Sequence, residues 1–99
     1  MAGATLSFDG ATLAVAGRLD HDSVVALAAA GADWLAQRAP TECRVDLAGV
    51  DYSNSAGIAL LLGWLRAAEQ AAKQLRIDNL PVDMAAIARV GGLDHILQG

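Results

Sequence analysis

The sequence predicts an α/β domain: a four-stranded mixed β-sheet with helices packed on it, in the order β-β-α-β-α-β-α. Three observations carry this. Two short alternating apolar runs flank Asp9-Gly10, further alternating runs are separated by stretches with apolar residues at helical spacing, and Val45 to Leu65 passes from a strand pattern through a polar turn into a long apolar helix pattern. Strands joined by a helical crossover run parallel, and such crossovers are right-handed. The 99 residues suit one core, so residues 1–99 are expected to form a single domain without linker or repeat.

Thr5 to Phe8 and Thr12 to Ala16 read as a hairpin around Asp9-Gly10, because glycine accepts positive φ at little cost; Gly17 should then break the second strand. A helix should start near Asp20 to Asp22, whose carboxylates suit exposed N–H groups and the positive helix end. Val24, Leu27, Ala28, Gly31, Trp34 and Leu35 recur at helical spacing toward Arg38, and Pro40 stops the run. Cys43, Val45 and Leu47 alternate with Arg44, Asp46 and Ala48, the mark of a strand with one buried face. A helix from Ala56 to about Lys73 follows, then a strand over Leu75 to Leu80. Pro81 fits the first turn of another helix with Met84, Ile87 and Val90 as its inner stripe. Gly91-Gly92 closes it, and Leu93 to Leu97 should add a final turn.

The junction Ser53-Asn54-Ser55 lies where a helix begins and its first N–H groups lack internal partners. A hydroxyl there can cap the helix, meet a partner or carry a phosphate, and Ser53, Asn54 and Ser55 are equally suited to the cap. The helix after it carries two apolar stripes. Ile58, Leu61, Leu62, Leu65 and Ala68 follow one; Leu60, Trp64, Ala67 and Ala71 follow the other. Together they are wider than a single sheet face normally covers, so one stripe faces a partner or both are core.

Composition narrows the function. The chain is 55% hydrophobic but 4% aromatic, so its core is built mainly from Leu, Val, Ile and Ala. Its net charge is −4, with Lys and Arg scattered, which argues against nucleic acid or an anionic lipid surface as partner. The densest apolar stretch, Ala56 to Leu65, is far short of the ~20 residues a membrane helix needs, and the N-terminus lacks a signal-peptide pattern, so the expected location is the cytoplasm. Cys43 has no internal partner and reads as a buried, inert thiol. His21 and His95 lie far apart, without Cys or His at ligand spacing, so no metal or other cofactor is expected.

The element order, with Asn54-Ser55-Ala56-Gly57 between strand and helix, resembles a STAS domain, from Gly17-Arg18-Leu19-Asp20 to Val90-Gly91-Gly92-Leu93. That family includes bacterial anti-sigma factor antagonists, in which the matching segment reads Asp-Ser-Ser/Thr/Ala-Gly and its first Ser is phosphorylated by a partner kinase. Ser55 matches that hydroxyl, whereas Asn54 replaces the acid and removes a negative charge beside it. Ser55-Ala56-Gly57-Ile58-Ala59-Leu60-Leu61-Leu62-Gly63-Trp64-Leu65 and the ending from Asn79 to Leu93 are similar to the MlaB branch, the small STAS subunits of Mla phospholipid ABC transporters, which maintain outer-membrane lipid asymmetry. The resemblance implies a non-enzymatic subunit clipped to a cytoplasmic ATPase that itself binds a membrane permease. It would sit peripherally at the inner-membrane face, with no small-molecule substrate of its own. It places the contact at Ser53, Asn54, Ser55, Ala56 and Gly57 and on Leu60 and Trp64. The alternative it implies is an anti-sigma factor antagonist switched by phosphorylation of Ser55.

Ser53 to Gly57 also partly imitates the Gly-x-Ser-x-Gly nucleophile elbow. The first Gly is missing, only His95 follows Ser55 as a base, with Asp78, Asp83 and Asp94 as acids, and the chain is short for a hydrolase. No catalytic residue is therefore expected.

Overall fold

A computed structural model describes residues 3–92. The elements are β1 (Ala4–Asp9), β2 (Thr12–Leu19), α1 (Ser23–Gln37), β3 (Glu42–Ser53), α2 (Ser55–Gln70), β4 (Gln74–Asp78) and α3 (Val82–Val90). The sheet order is β1-β2-β3-β4, with β1 antiparallel to β2 and the other pairs parallel. The expected order and mixed sheet are both present. The final turn expected over Leu93 to Leu97 lies outside the described residues.

Because β2, β3 and β4 step across the sheet in one direction, their right-handed crossovers place α1 and α2 on the same face. The strand alternation agrees: Leu13, Val15, Leu19, Cys43, Val45, Leu47 and Ile77 are buried beneath the helices. α3 adds the buried Met84 and Ala88 against α2, so these two form its inner stripe, and Ile87 and Val90, expected on it, are exposed instead. At the sheet edge, the Phe8 ring lies 5.7 Å from that of Trp34, and the Arg38 guanidinium covers Phe8 at 5.0 Å.

Element ends differ from the sequence expectation for local reasons. Asp9 pairs with Thr12, so the hairpin loop is Gly10-Ala11, with Gly10 at φ +60°. β2 does not stop at Gly17 but bends there and runs on to Leu19. Gly17 has φ +98°, and a side chain on it would overlap the Gly3 carbonyl. The β2–β3 register shifts on either side of this point, as bulges do. β3 continues past Leu47 to Ser53, and β4 ends early at Asp78, where Asn79 turns the chain with φ +58°. α2 ends at Gln70, short of Lys73. Ala72 takes φ +59°, and Lys73 N–H donates to the Ala68 carbonyl at 2.8 Å, a helix-closing geometry that usually employs glycine.

The two long helices meet at Gly31. The Trp64 ring occupies the space that a side chain at 31 would need, and its indole N–H donates to the Ala28 carbonyl at 3.3 Å. Trp64 and Leu61 are among the most deeply buried side chains. Replacing Gly31 with Ala would force the helices apart at this seat; we predict that Gly31→Ala lowers unfolding free energy by about 1–3 kcal/mol, read from urea midpoints.

The opposite sheet face carries a polar lattice. The Arg44 guanidinium bonds Asp78 at 2.8 Å and Thr12 at 2.9 Å, Arg76 bonds Asp78 at 2.9 Å, and the Asn79 amide donates to Asp46 at 2.9 Å. The Arg76 hydrogen bond, helped by Arg44, holds the Asp78 carboxyl below its ordinary range, and the Asn79 and Ala48 N–H donors do the same for Asp46. A depressed folded pKa means the stabilisation is complete above the unfolded value of about 4 and is lost as pH falls through the folded value. The melting temperature should therefore stay flat from pH 7 to 5 and fall below about pH 4, with a shallower fall in Asp78→Asn.

Candidate functional site

The carboxyl ends of β2 and β3 hold the starts of α1 and α2, the usual place for a site in an open α/β sheet. Here β3 ends at Ser53, which is buried and donates its hydroxyl to the Asn54 carbonyl at 3.0 Å. Asn54 is the cap of α2: its Oδ1 accepts from Ala56 N–H at 2.8 Å, and its carbonyl accepts from Gly57 N–H at 3.0 Å. Asn54 N–H in turn donates to the Leu19 carbonyl at 3.3 Å, tying the helix start to β2. Gly57 is packed so closely that a Cβ there would overlap Ser53 Oγ and press on Met84 and Leu19. Ser53, Ala56 and Gly57 thus set the helix down onto the sheet. Ser53 and Gly57 present no open surface, and Ala56 reaches it only within the groove described next.

Ser55 is different. It is exposed as the first residue of α2, and the cap is already filled by its neighbour. It stands at the lip of a groove of about 370 Å³ between the N-terminal halves of the two helices. Ser55, Ala56, Ala59 and Leu60 line one wall; His21, Val24, Val25 and Ala28 line the other. The lining is apolar apart from the Ser55 hydroxyl and the His21 ring. Val25 is 72% exposed, an unusual state for a valine on a helix that buries its other apolar stripe.

Besides Ser53, Ala56 and Gly57, two more of the expected contact residues are buried. Trp64 is 1% exposed and Leu60 4%, because α1 covers the second apolar stripe of α2 within the chain itself. Trp64 is therefore a core residue rather than a docking side chain, and Leu60 reaches the surface only as part of the groove floor. Sequence reasoning missed the α1 wall. Val25 was the available signal, an apolar residue off the helix's inner stripe.

At the start of α1 both carboxylates had been candidates for the cap. Asp20 takes the role, its Oδ1 accepting from Ser23 N–H at 2.9 Å and Asp22 N–H at 3.1 Å. Those bonds, the Ser23 N–H first, together with the Arg18 guanidinium, hold its carboxyl below the usual range. Asp22 occupies the cap position without a side-chain bond. Elsewhere, Cys43 is buried as expected, and burial pushes its thiol pKa up, against a weaker opposing pull from Lys73. Asp78, a candidate acid for a hydrolytic serine, is bound to Arg44 and Arg76 on the far face of the sheet. His95 and Asp94 lie outside the described residues.

A four-stranded mixed sheet with helices in this element order is also found among solved structures. Unphosphorylated SpoIIAA, an anti-sigma factor antagonist, superposes with a TM-score of 0.75 at 22% identity, over 96% of this chain and 85% of that one. The phosphorylated form of SpoIIAA, a Bacillus cell-fate determinant, gives 0.70 at 23% identity, over 96% and 88%. An anti-sigma-factor antagonist (STAS) domain protein from Planctomyces limnophilus gives 0.68 at 20% identity, over 99% and 88%. At such identities the likeness is one of fold. The family described as "Mlab, STAS domain" matches residues 3–98, and the chain belongs to it. No curated protein matches the chain.

The geometry separates capping from contact at adjacent residues. Asn54→Ala should cost about 1 kcal/mol of stability through the lost cap. Ser55→Ala, a surface change outside the cap, should stay within about 0.5 kcal/mol. Paired chemical denaturation of the two variants checks this.

Proposed function

We propose that this chain is a non-enzymatic regulatory subunit that docks on the cytoplasmic ATPase of an Mla-type phospholipid ABC transporter, with the membrane permease in the same complex. The observation that carries the reading is the division of labour at the junction. Asn54 caps α2, which leaves the Ser55 hydroxyl at the lip of an apolar groove. An apolar concavity with one hydroxyl at its edge suits a protein side chain that must lose water on binding. The MlaB-type family description supports the same choice of partner. Such a subunit acts by binding one arrangement of the ATPase more tightly than another, and shifts it by no more than that difference. ATP hydrolysis and lipid handling belong to the partners, and location at the inner-membrane face follows from the complex.

A second reading is favoured by the same hydroxyl. SpoIIAA, similar in fold, has a phosphorylated form, and a phosphate on Ser55 would sit at a helix N-terminus, which attracts anions. Within a docked apolar groove, that charge would have to be desolvated and would oppose binding. In that case the chain is an anti-sigma factor antagonist, and Ser55 is its switch.

A tagged pull-down from native cytoplasm and solubilised membranes, with the partners identified by mass spectrometry, separates the two. The transporter reading predicts an ABC ATPase and its membrane subunits with wild type and their loss with Ser55→Arg. Recovery instead of a soluble kinase-like anti-sigma factor, with a gain of ~80 Da on wild type but not on Ser55→Ala, overturns it.

A further inference from the structure

Arg18 does not line the groove, yet it connects Asp20, which caps the start of α1, with Tyr52 of β3, two residues before the Asn54 cap of α2. It is paired in register with Tyr52 on the adjacent strand, and its guanidinium lies 3.9 Å over the Tyr52 ring. Its Nε bonds Asp20 at 3.1 Å. The other Asp20 oxygen caps the first turn of α1, and Ser23 returns a hydroxyl bond to the Arg18 carbonyl at 2.7 Å. On the other side, Tyr52 leads through Ser53 to Asn54, whose N–H is bonded to Leu19 and whose side chain caps α2. One guanidinium therefore spans from the carboxylate that starts α1 to the ring that precedes the start of α2.

We propose that Arg18 is a positioning residue for docking: by stacking on Tyr52 while holding Asp20, it sets the separation of the two helix starts and hence the width of the groove beside Ser55. The role rests on the docking reading above and adds the device that shapes the site. Both halves of the contact are partly exposed, so they add little to global stability. Their effect is local. Removing the guanidinium frees Asp20 from one partner without removing its bonds to the α1 backbone, and Tyr52 loses the group that fixes its ring.

The test uses Arg18→Gln, Tyr52→Ala and Tyr52→Phe in the full chain, with amide NMR spectra of the free protein and affinity for the ABC ATPase recovered with wild type. Arg18→Gln and Tyr52→Ala should each shift the Ser55 and Ala56 amides and weaken the complex about threefold to fivefold, with melting temperature within about 2 °C of wild type. Tyr52→Phe, which keeps a ring under the guanidinium, should restore both readouts. A double-mutant cycle between Arg18→Gln and Ser55→Ala should be non-additive, because the first change acts through the setting of the second residue. Unmoved amides in the free variants, or moved amides with unchanged affinity, overturn the positioning role alone. Failure of the wild-type chain to bind the ATPase overturns the docking reading, and this role with it.

Discussion

Trp64 rests on the bare backbone of Gly31, and most of what the domain presents to a partner follows from that seat. Only glycine leaves room for the indole, and the indole N–H finds its acceptor at Ala28 on the same helix. The contact brings α1 and α2 together over the sheet and buries Leu60 and Trp64 of the second apolar stripe of α2 within the fold. Toward their N-termini the facing residues shrink to Ala28, Ala56 and Ala59, and the same two helices leave a groove instead of a packed seam. The groove is thus the continuation of a well-filled interface into smaller side chains.

The junction at Ser53 to Gly57 is a second tight fit. Gly57 lets the helix approach Ser53, Leu19 and Met84, and Asn54 closes the backbone of the first turn. Each residue there is occupied with holding the helix down except Ser55. A side chain already committed to capping could not change partners without loosening the helix, so Ser55 is the residue of this junction free to bond elsewhere from a rigid base.

Much of the fold was legible because hydrophobic period distinguishes strand from helix: the alternation of Cys43, Val45 and Leu47 reads as a strand and the spacing along α2 as a helix. The ends were less legible. Gly17 bends a strand in one context and ends it in another, and here β2 runs on because Arg18 and Leu19 still pair with Tyr52 and Ser53 of β3. Ala72 adopts a left-handed turn that its identity does not announce. At the site, the sequence located the junction but left three residues competing for one cap, a choice made by backbone geometry at Asn54. Periodicity likewise showed that α2 has two apolar stripes but not what covers the second, because that depends on α1, distant in sequence. For the same reason Val25, which completes the groove, lies outside the local stripe of its helix.

The two faces of the domain differ in what they offer. On the open sheet face Arg44, Arg76, Asp46, Asp78 and Asn79 bond one another, whereas the groove exposes apolar surface with the Ser55 hydroxyl and the His21 ring. Site-specific photo-crosslinking in the complex compares them directly, with one probe at Val25 on the groove and another at Ser7 in β1. If the groove is the docking surface, the Val25 probe links to the ABC ATPase and the Ser7 probe does not. Linking from Ser7 with none from Val25 would contradict the account.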